Sequence, residues 1–344
     1  MLTQHRHQGR HHHPMPGRSR VRRRRALLIA LVGVVATVIA VGSVDVLNAG
    51  RIAHAVHRPG LTKGTSLPTG GSGSAGAQAS YLGLYVSGVP LSYDGLTSFT
   101  RATGVSPNLV SYYSGWFEPF STSFATLAAK HDAVPLVQIN PKDISITAIA
   151  SGTYDGYLKS YAEAVRSHHG PVILSFGHEM NGQWYPWGYK HTPARVFVAA
   201  WRHIVQLFQG VGADNVTWMW TVNTIWKKGN QIPNPSAWWP GSRYVNWVGI
   251  DGYFHNSAAQ FSSVFGPTIA DVRELTHDPI LISETGAGPD TNQSAKIDSL
   301  FRGVQLYGLL GFIWFDAIGN TDDRVDTRAS MAAFRRGAKA YGIS

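Results

Sequence analysis

Two glutamates stand out for what surrounds them. Glu179 lies in the stretch "SFGHEMNGQWYPWG" (residues 175–188), between His178 and Met180 and just ahead of Trp184, Tyr185 and Trp187. Glu284 lies in "ILISETG" (residues 280–286). Hydrolysis of a glycosidic bond needs such a pair: one carboxylic acid to protonate the leaving oxygen, and one carboxylate on the other side of the bond. The two must hold different pKa values, and apolar or aromatic surroundings raise one of them by disfavouring its charge. Sugar rings also present flat C–H faces that pack well on Trp and Tyr. The rings after Glu179 therefore predict both a sugar-binding wall and a partly desolvated acid.

Such a pair needs a scaffold that brings distant segments together. Short apolar, β-rich runs recur at Tyr81–Ser87, Leu109–Trp116, Val134–Asn140, Val172–Gly177, Val216–Val222, Trp247–Tyr253, Ile280–Glu284 and Leu309–Phe315. Several are almost continuously apolar, as strands covered on both faces of a parallel sheet are. Helical patterns lie between many of them, including Tyr154–Ser167, Pro193–Gln209 and Ala295–Gln305. For the second of these, Thr192 is the expected N-cap, Pro193 the first helical residue and Gly210 the C-cap. Strand–helix alternation of this kind predicts an α/β fold, a (β/α)8 TIM barrel. A doubly wound open sheet also alternates, but no glycine-rich phosphate fingerprint follows the first strand. Barrel enzymes carry their reactive groups at the C-terminal ends of the strands. There stand His178-Glu179, Asn223, Tyr253, Glu284 and Trp314, on the fourth to eighth strands.

The 344-residue chain has a net charge of +10, but the charge is unevenly placed. Residues 1–78 hold 11 of the 30 Lys and Arg and one of the 20 acids, Asp45, which leaves the remainder with 19 of each. The predicted barrel is neutral and lacks the electrostatic footprint of a nucleic-acid binder. With no cysteine, disulfides and thiolate metal sites are excluded. Arg18, Arg20 and Arg22 to Arg25 precede Ala26–Val44, which carries no charge over 19 residues. As a helix that run would span roughly 28 Å, about the thickness of a bilayer's hydrocarbon core. Flanking arginines predict that its N-terminal side stays in the cytoplasm. The competing reading is a signal peptide cleaved after Ala53-His54-Ala55. The early histidines (His5, His7 and His11 to His13) read as part of a solvated low-complexity tail. The expected organisation is a basic cytoplasmic tail (1–25), a transmembrane or signal-anchor helix (26–44), a flexible low-complexity linker (45–79) and a catalytic barrel (80–344). The barrel is expected outside the cell membrane, tethered by a single pass or secreted after cleavage.

"HEMNGQWYPWG" (178–188) resembles the acid/base segment of the family 26 glycoside hydrolases, and "LISETG" (281–286) resembles their nucleophile segment. That family comprises β-mannanases with some β-1,3-1,4-glucanases and xylanases, on a (β/α)8 barrel with a retaining glutamate pair on strands 4 and 7. The resemblance implies that Glu179 is the general acid/base and Glu284 the nucleophile. It implies that His178 orients neighbouring groups and contacts substrate, and that Trp184 lies in the sugar site. Tyr253, in "GIDGYFHN", is implied to hydrogen-bond the nucleophile, and Trp314 to lie beneath the sugar at the cleavage point. Trp116 and Asn223 stand between support and substrate contact and are grouped with the substrate-binding set. Trp201, Trp218 and Trp220 read as core. Asp322, Asp323 and Asp326 read as a solvated loop, since the spacing of a calcium loop is absent. No metal or cofactor is expected, and the barrel is expected to be monomeric. The function expected is endo-acting hydrolysis of β-1,4-mannan. The alternatives are a mixed-linkage β-1,3-1,4-glucanase and a catalytically idle carbohydrate-binding barrel.

Overall fold

The computed structural model describes residues 81–225 and 232–343. The expected segments at 1–25, 26–44 and 45–79 lie outside the described residues, as does the boundary at residue 80. Among the described residues no helix is long and apolar enough to cross a membrane.

Eight parallel strands close into a barrel in chain order: β1 (Tyr81–Val86), β2 (Leu109–Gly115), β3 (Val134–Asn140), β4 (Val172–Phe176), β5 (Val216–Asn223), β6 (Trp247–Asp251), β7 (Ile280–Thr285) and β8 (Gly311–Asp316). Each matches one of the predicted runs. Helices between them form the outer layer: α1 (Asp94–Thr103), α2 (Thr122–Lys130), α3 (Ile146–Ala150), α4 (Asp155–His168), α5 (Ala194–Val211), α6 (Phe261–Val264), α7 (Gly266–Leu275), α8 (Gln293–Leu306) and α9 (Arg328–Ala340). Between β5 and β6 the described chain forms only a short 3-10 turn, Pro235–Trp238.

Helix α5 begins one residue later than its sequence signals suggest. Pro193 is the N-cap, and Gly212, in a left-handed conformation (φ 77°), is the C-cap. Thr192 turns its hydroxyl to the Pro186 carbonyl (2.9 Å), and Gly210 sits inside the last turn. The left-handed C-cap is the position a glycine occupies without steric cost, so the second glycine takes it.

Alternation along the strands sorts side chains between two cores. Tyr81, Leu109, Leu136, Ile173, Met219, Trp247, Leu281 and Ile313 fill the interior near the N-terminal ends of the strands, one from each. Large-to-small changes in such a layer cost about 2–5 kcal/mol. Outward residues pack under the helices; Phe312 meets Phe301 of α8, and Trp314 meets Phe334 of α9, both edge to face. Trp201, Trp218 and Trp220 are buried in this outer core, as expected. With its lower half plugged, the barrel can receive a ligand only from the C-terminal ends of the strands.

Candidate active site

Two local devices bring the glutamates to that end. After β4 the chain turns through Gly177 (φ 55°) and Glu179 (φ 54°). A Cβ on Gly177 would lie 2.9 Å from Phe197 and 3.1 Å from Trp187, so the turn packs too closely for a side chain. Glu179 has a side chain in the left-handed region, a conformation that costs of order 1–3 kcal/mol and gathers at functional sites. The turn is held by Glu179 N–H to the Thr221 carbonyl (3.0 Å) and Gly182 N–H to the Glu179 carbonyl (2.8 Å). Trp187 closes it from behind, donating its indole N–H to the His178 carbonyl (2.8 Å).

On β7 the device is a bulge. While β6 advances from Gly249 to Asp251, β7 advances from Leu281 to Glu284; against β8 the matching steps are Phe312 to Trp314 and Ile282 to Thr285. One extra residue therefore interrupts the alternation. Without it Glu284 would share the outward face of Ile280 and Ile282; with it the carboxylate turns into the barrel mouth. Ser283 also points inward and donates to Asp251 Oδ1 (2.5 Å). Gly249 leaves room for it, since a Cβ there would stand 2.5 Å from the Ser283 hydroxyl.

Both carboxyls line one cavity of about 880 Å³. Glu179 Oε2 accepts from the Trp184 indole N–H (2.7 Å), and its Oε1 accepts from the Asn223 amide. Asn223 is itself fixed by a reciprocal pair with Asn181: Asn181 Nδ2 donates to the Asn223 carbonyl and the Asn223 N–H donates to Asn181 Oδ1, both at 2.9 Å. Glu284 Oε1 accepts from the Tyr253 hydroxyl (2.6 Å), and its Oε2 accepts from the Tyr113 hydroxyl. Burial raises the Glu179 pKa to about 7, and the Glu284 charge adds to this against the two hydrogen bonds it receives. Burial also raises the Glu284 pKa, but the two phenols oppose the rise by stabilising the carboxylate, while Asp323 adds to it. Beneath the pair lies a third carboxyl, Asp251, fully buried. Burial first, then the charges of Glu284 and Glu179, hold it far above the usual carboxylate range.

Of the residues singled out in the sequence, Glu179, Glu284, Trp184, Tyr253 and Asn223 come together at this cavity. Three others stand elsewhere. His178 is 3% exposed and lies behind the wall, its ring beside Tyr113, Tyr185 and Trp187 and its Nε2 3.2 Å from the Tyr185 hydroxyl. Burial pushes its pKa down to about 3, so the ring is neutral and supports the wall rather than lining it. Trp314 points outward on β8 with its indole N–H on the Asp323 carbonyl (2.8 Å); its neighbour Phe315 faces the cavity and stacks on Tyr85 (4.6 Å). The alternation of β8, with Ile313 inward, dictates this exchange. Trp116, beyond the end of β2, is buried against Phe176 and Tyr157, while Tyr113 reaches the cavity from the inward face. Asp323 also departs from expectation: it is buried and lines the cavity, and only Asp322 pairs on the surface with Arg324 (2.6 Å). Asp316 holds the loop after β8 through the Val325 N–H (2.6 Å). Among the described residues no group of three or more His, Asp or Glu is arranged to hold a metal ion.

Comparison with known proteins adds an independent line. Residues 149–286, which contain both glutamates, match the family model described as glycosyl hydrolase family 26. Endoglucanase H of Acetivibrio thermocellus is 25% identical over 282 residues, covering 76% of this chain and 31% of that protein. A β-1,3-xylanase of a Vibrio species is 26% identical over 236 residues, covering 60% of this chain and 48% of the relative. The chain thus spans less than half the length of these curated relatives. The catalytic domain of a Bacillus endo-β-1,4-mannanase superposes with a TM-score of 0.59 at 14% identity, over 77% of this chain and 87% of that one, a likeness of fold. Within the barrel, the segment from residue 149 to residue 286, which carries both glutamates, is thus similar to the glycoside hydrolases of family 26.

Proposed function

We propose that the barrel is an endo-acting, retaining β-glycanase in which Glu284 is the nucleophile and Glu179 the general acid/base. The observation that carries this reading is the contrast between two carboxyls in one cavity. Glu284 receives two phenolic hydrogen bonds that favour its charge, while Glu179 has a pKa raised to about 7 and holds a proton near neutrality. In the first step Glu284 attacks the anomeric carbon as the glycosidic bond breaks, and Glu179 gives its proton to the leaving oxygen. In the second step Glu179 takes a proton from water, whose oxygen displaces Glu284 with net retention. Trp184, 47% exposed and tied to Glu179 Oε2, stands where the leaving sugar would pass. Phe315 and Tyr85 supply ring surface on the opposite strands.

β-1,4-Mannan is the first substrate on this reading, in line with the segments around both glutamates. A second reading, a β-glucan, is favoured by the likeness to an endoglucanase over three quarters of the chain. The domain is proposed to act outside the cell, tethered through residues 26–44 or released after cleavage. The deciding experiment incubates the protein with mannan, mixed-linkage β-glucan and xylan and follows the anomer first released by NMR. The β-anomer from one of the three is expected. An initial α-anomer would refute retention, and binding without hydrolysis of any polymer would leave an idle carbohydrate-binding barrel.

A further inference from the structure

The turn that leaves β2 is built against the grain of its own backbone. Glu118 N–H bonds the Gly115 carbonyl (3.2 Å), closing a four-residue turn with Trp116 and Phe117 at its centre. Phe117, the third residue, has φ 71°. That position in a turn ordinarily takes Gly or Asn, because a bulky side chain is strained there. The strain is held in place from both sides: Glu118 Oε2 accepts the Gly115 N–H (2.7 Å), and the Tyr157 hydroxyl donates to the Glu118 carbonyl (3.1 Å). What the turn displays is a phenyl ring left 57% exposed. Tyr154 and Tyr157 meet it edge to face at 5.7 and 5.4 Å, and buried Trp116 backs it. The patch also has a defined position. Gly115 is the register partner of Asn140, and Asn140 lines the cavity. Phe117 therefore stands at the same end of the barrel as the glutamates, on the β2–β3 side, just beyond the cavity wall.

We propose that Phe117, flanked by Tyr154 and Tyr157, is a sugar-stacking platform on the barrel rim that takes up the β-linked polysaccharide chain outside the catalytic cavity. The proposal rests on the glycanase reading. Pyranose C–H faces suit an exposed ring held rigid by neighbouring rings, and a polymer leaving the cavity over β2 and β3 crosses this patch. A ring here has no effect on the chemistry at Glu284; it adds affinity only for chains long enough to reach it.

The test compares the full chain with Phe117→Ala and Phe117→Gly, the glycine variant relieving the backbone and serving as the folding control. Binding to the polymer that the wild type hydrolyses is measured by affinity electrophoresis, and kcat/KM is measured on that polymer and on a short oligosaccharide from it. Both variants are expected to bind the polymer roughly fivefold to tenfold more weakly. The polymer-to-oligosaccharide ratio of kcat/KM is expected to fall by the same factor, through KM. Phe117→Gly is expected to melt above Phe117→Ala, since only the glycine fits the backbone freely. Unchanged polymer affinity and an unchanged ratio in both variants would overturn the platform. So would a loss of self-association on size-exclusion chromatography with no loss of polymer affinity, which would make the patch a contact between copies. If the wild type hydrolyses no β-glycan, it is the glycanase reading that fails, and the platform with it.

Discussion

The exit of β4 and the end of β7 deliver the same chemical group to the same cavity by different means. After β4, a turn with two left-handed residues lifts Glu179 over the mouth, and its donors are an indole N–H and a side-chain amide. On β7 an extra residue rotates Glu284 inward, and its donors are two tyrosine hydroxyls from β2 and the segment after β6. Burial disfavours charge at both. The difference lies in how strongly the surroundings resist that pressure. On the proposed mechanism, two phenolic hydroxyls on one carboxylate stabilise the anion that attacks, whereas Glu179 keeps a proton to give away. On that proposal the donors divide the two roles, with the strands supplying the shared frame.

The largest effects should come from removing either carboxyl, and they should differ in kind. Glu284→Ala is expected to lower kcat by roughly 10⁴-fold or more on every substrate, since covalent capture has no substitute. Glu179→Ala should cost about 10²–10⁴-fold on polysaccharide but far less in the first step on aryl glycosides with good leaving groups. Azide should rescue Glu179→Ala with a β-glycosyl azide, and any product from Glu284→Ala should be the inverted azide. Observing the opposite stereochemistry would exchange the two roles.

A smaller effect is expected from the phenols. Tyr253→Phe and Tyr113→Phe each remove a hydrogen bond to the charged form of Glu284, an interaction worth about 1.5–3 kcal/mol. As the proposed nucleophile Glu284 attacks in its ionised form, so its pKa is expected to set the acidic limb of the kcat/KM profile. That limb should move up by roughly one pH unit in either variant, while the basic limb, set by Glu179 near pH 7, stays in place. Movement of the basic limb instead would mean that the tyrosines act on Glu179.

The smallest effect concerns stability. The folded pKa of Glu179 is raised from 4.5 to about 7, so its ionisation disfavours the fold as pH rises through that interval. Glu179→Gln abolishes this penalty. The variant should match the wild type near pH 4 and exceed it at pH 8 by about 1–3 kcal/mol, a few degrees in Tm. Equal melting temperatures of the two proteins at pH 8 would remove the claim that burial governs Glu179.

The barrel was legible because its strands read as apolar runs and its polar residues cluster where those runs end. The site was legible where chemistry and strand end coincide, as at Glu179, Asn223 and Glu284. The choice between adjacent aromatics was harder. Counting by twos from Ile313 would have found Phe315 in place of Trp314, and counting from Leu109 would have found Tyr113 in place of Trp116. The same rule applied to β7 from Leu281 would have discarded Glu284, because nothing in "LISET" announces a bulge. Alternation is a local rule, and the bulge is settled by pairing with two neighbours at once. His178 was misplaced for a related reason: its position beside the acid says nothing of the turn that swings it behind Tyr113 and Tyr185.

The extra residue of β7 makes the location of Glu284 a matter of length rather than of identity. Point substitutions in a lineage of such chains can change what stands at position 284, and so trade one reactive group for another, yet they leave the place itself intact. Moving the place takes the gain or loss of a single residue between Ile282 and Thr285. That event would shift the phase of the strand by one and swing the carboxyl from the barrel mouth into the layer beneath the helices. The reactive group can therefore vary by small steps, while its address changes only in a single large one.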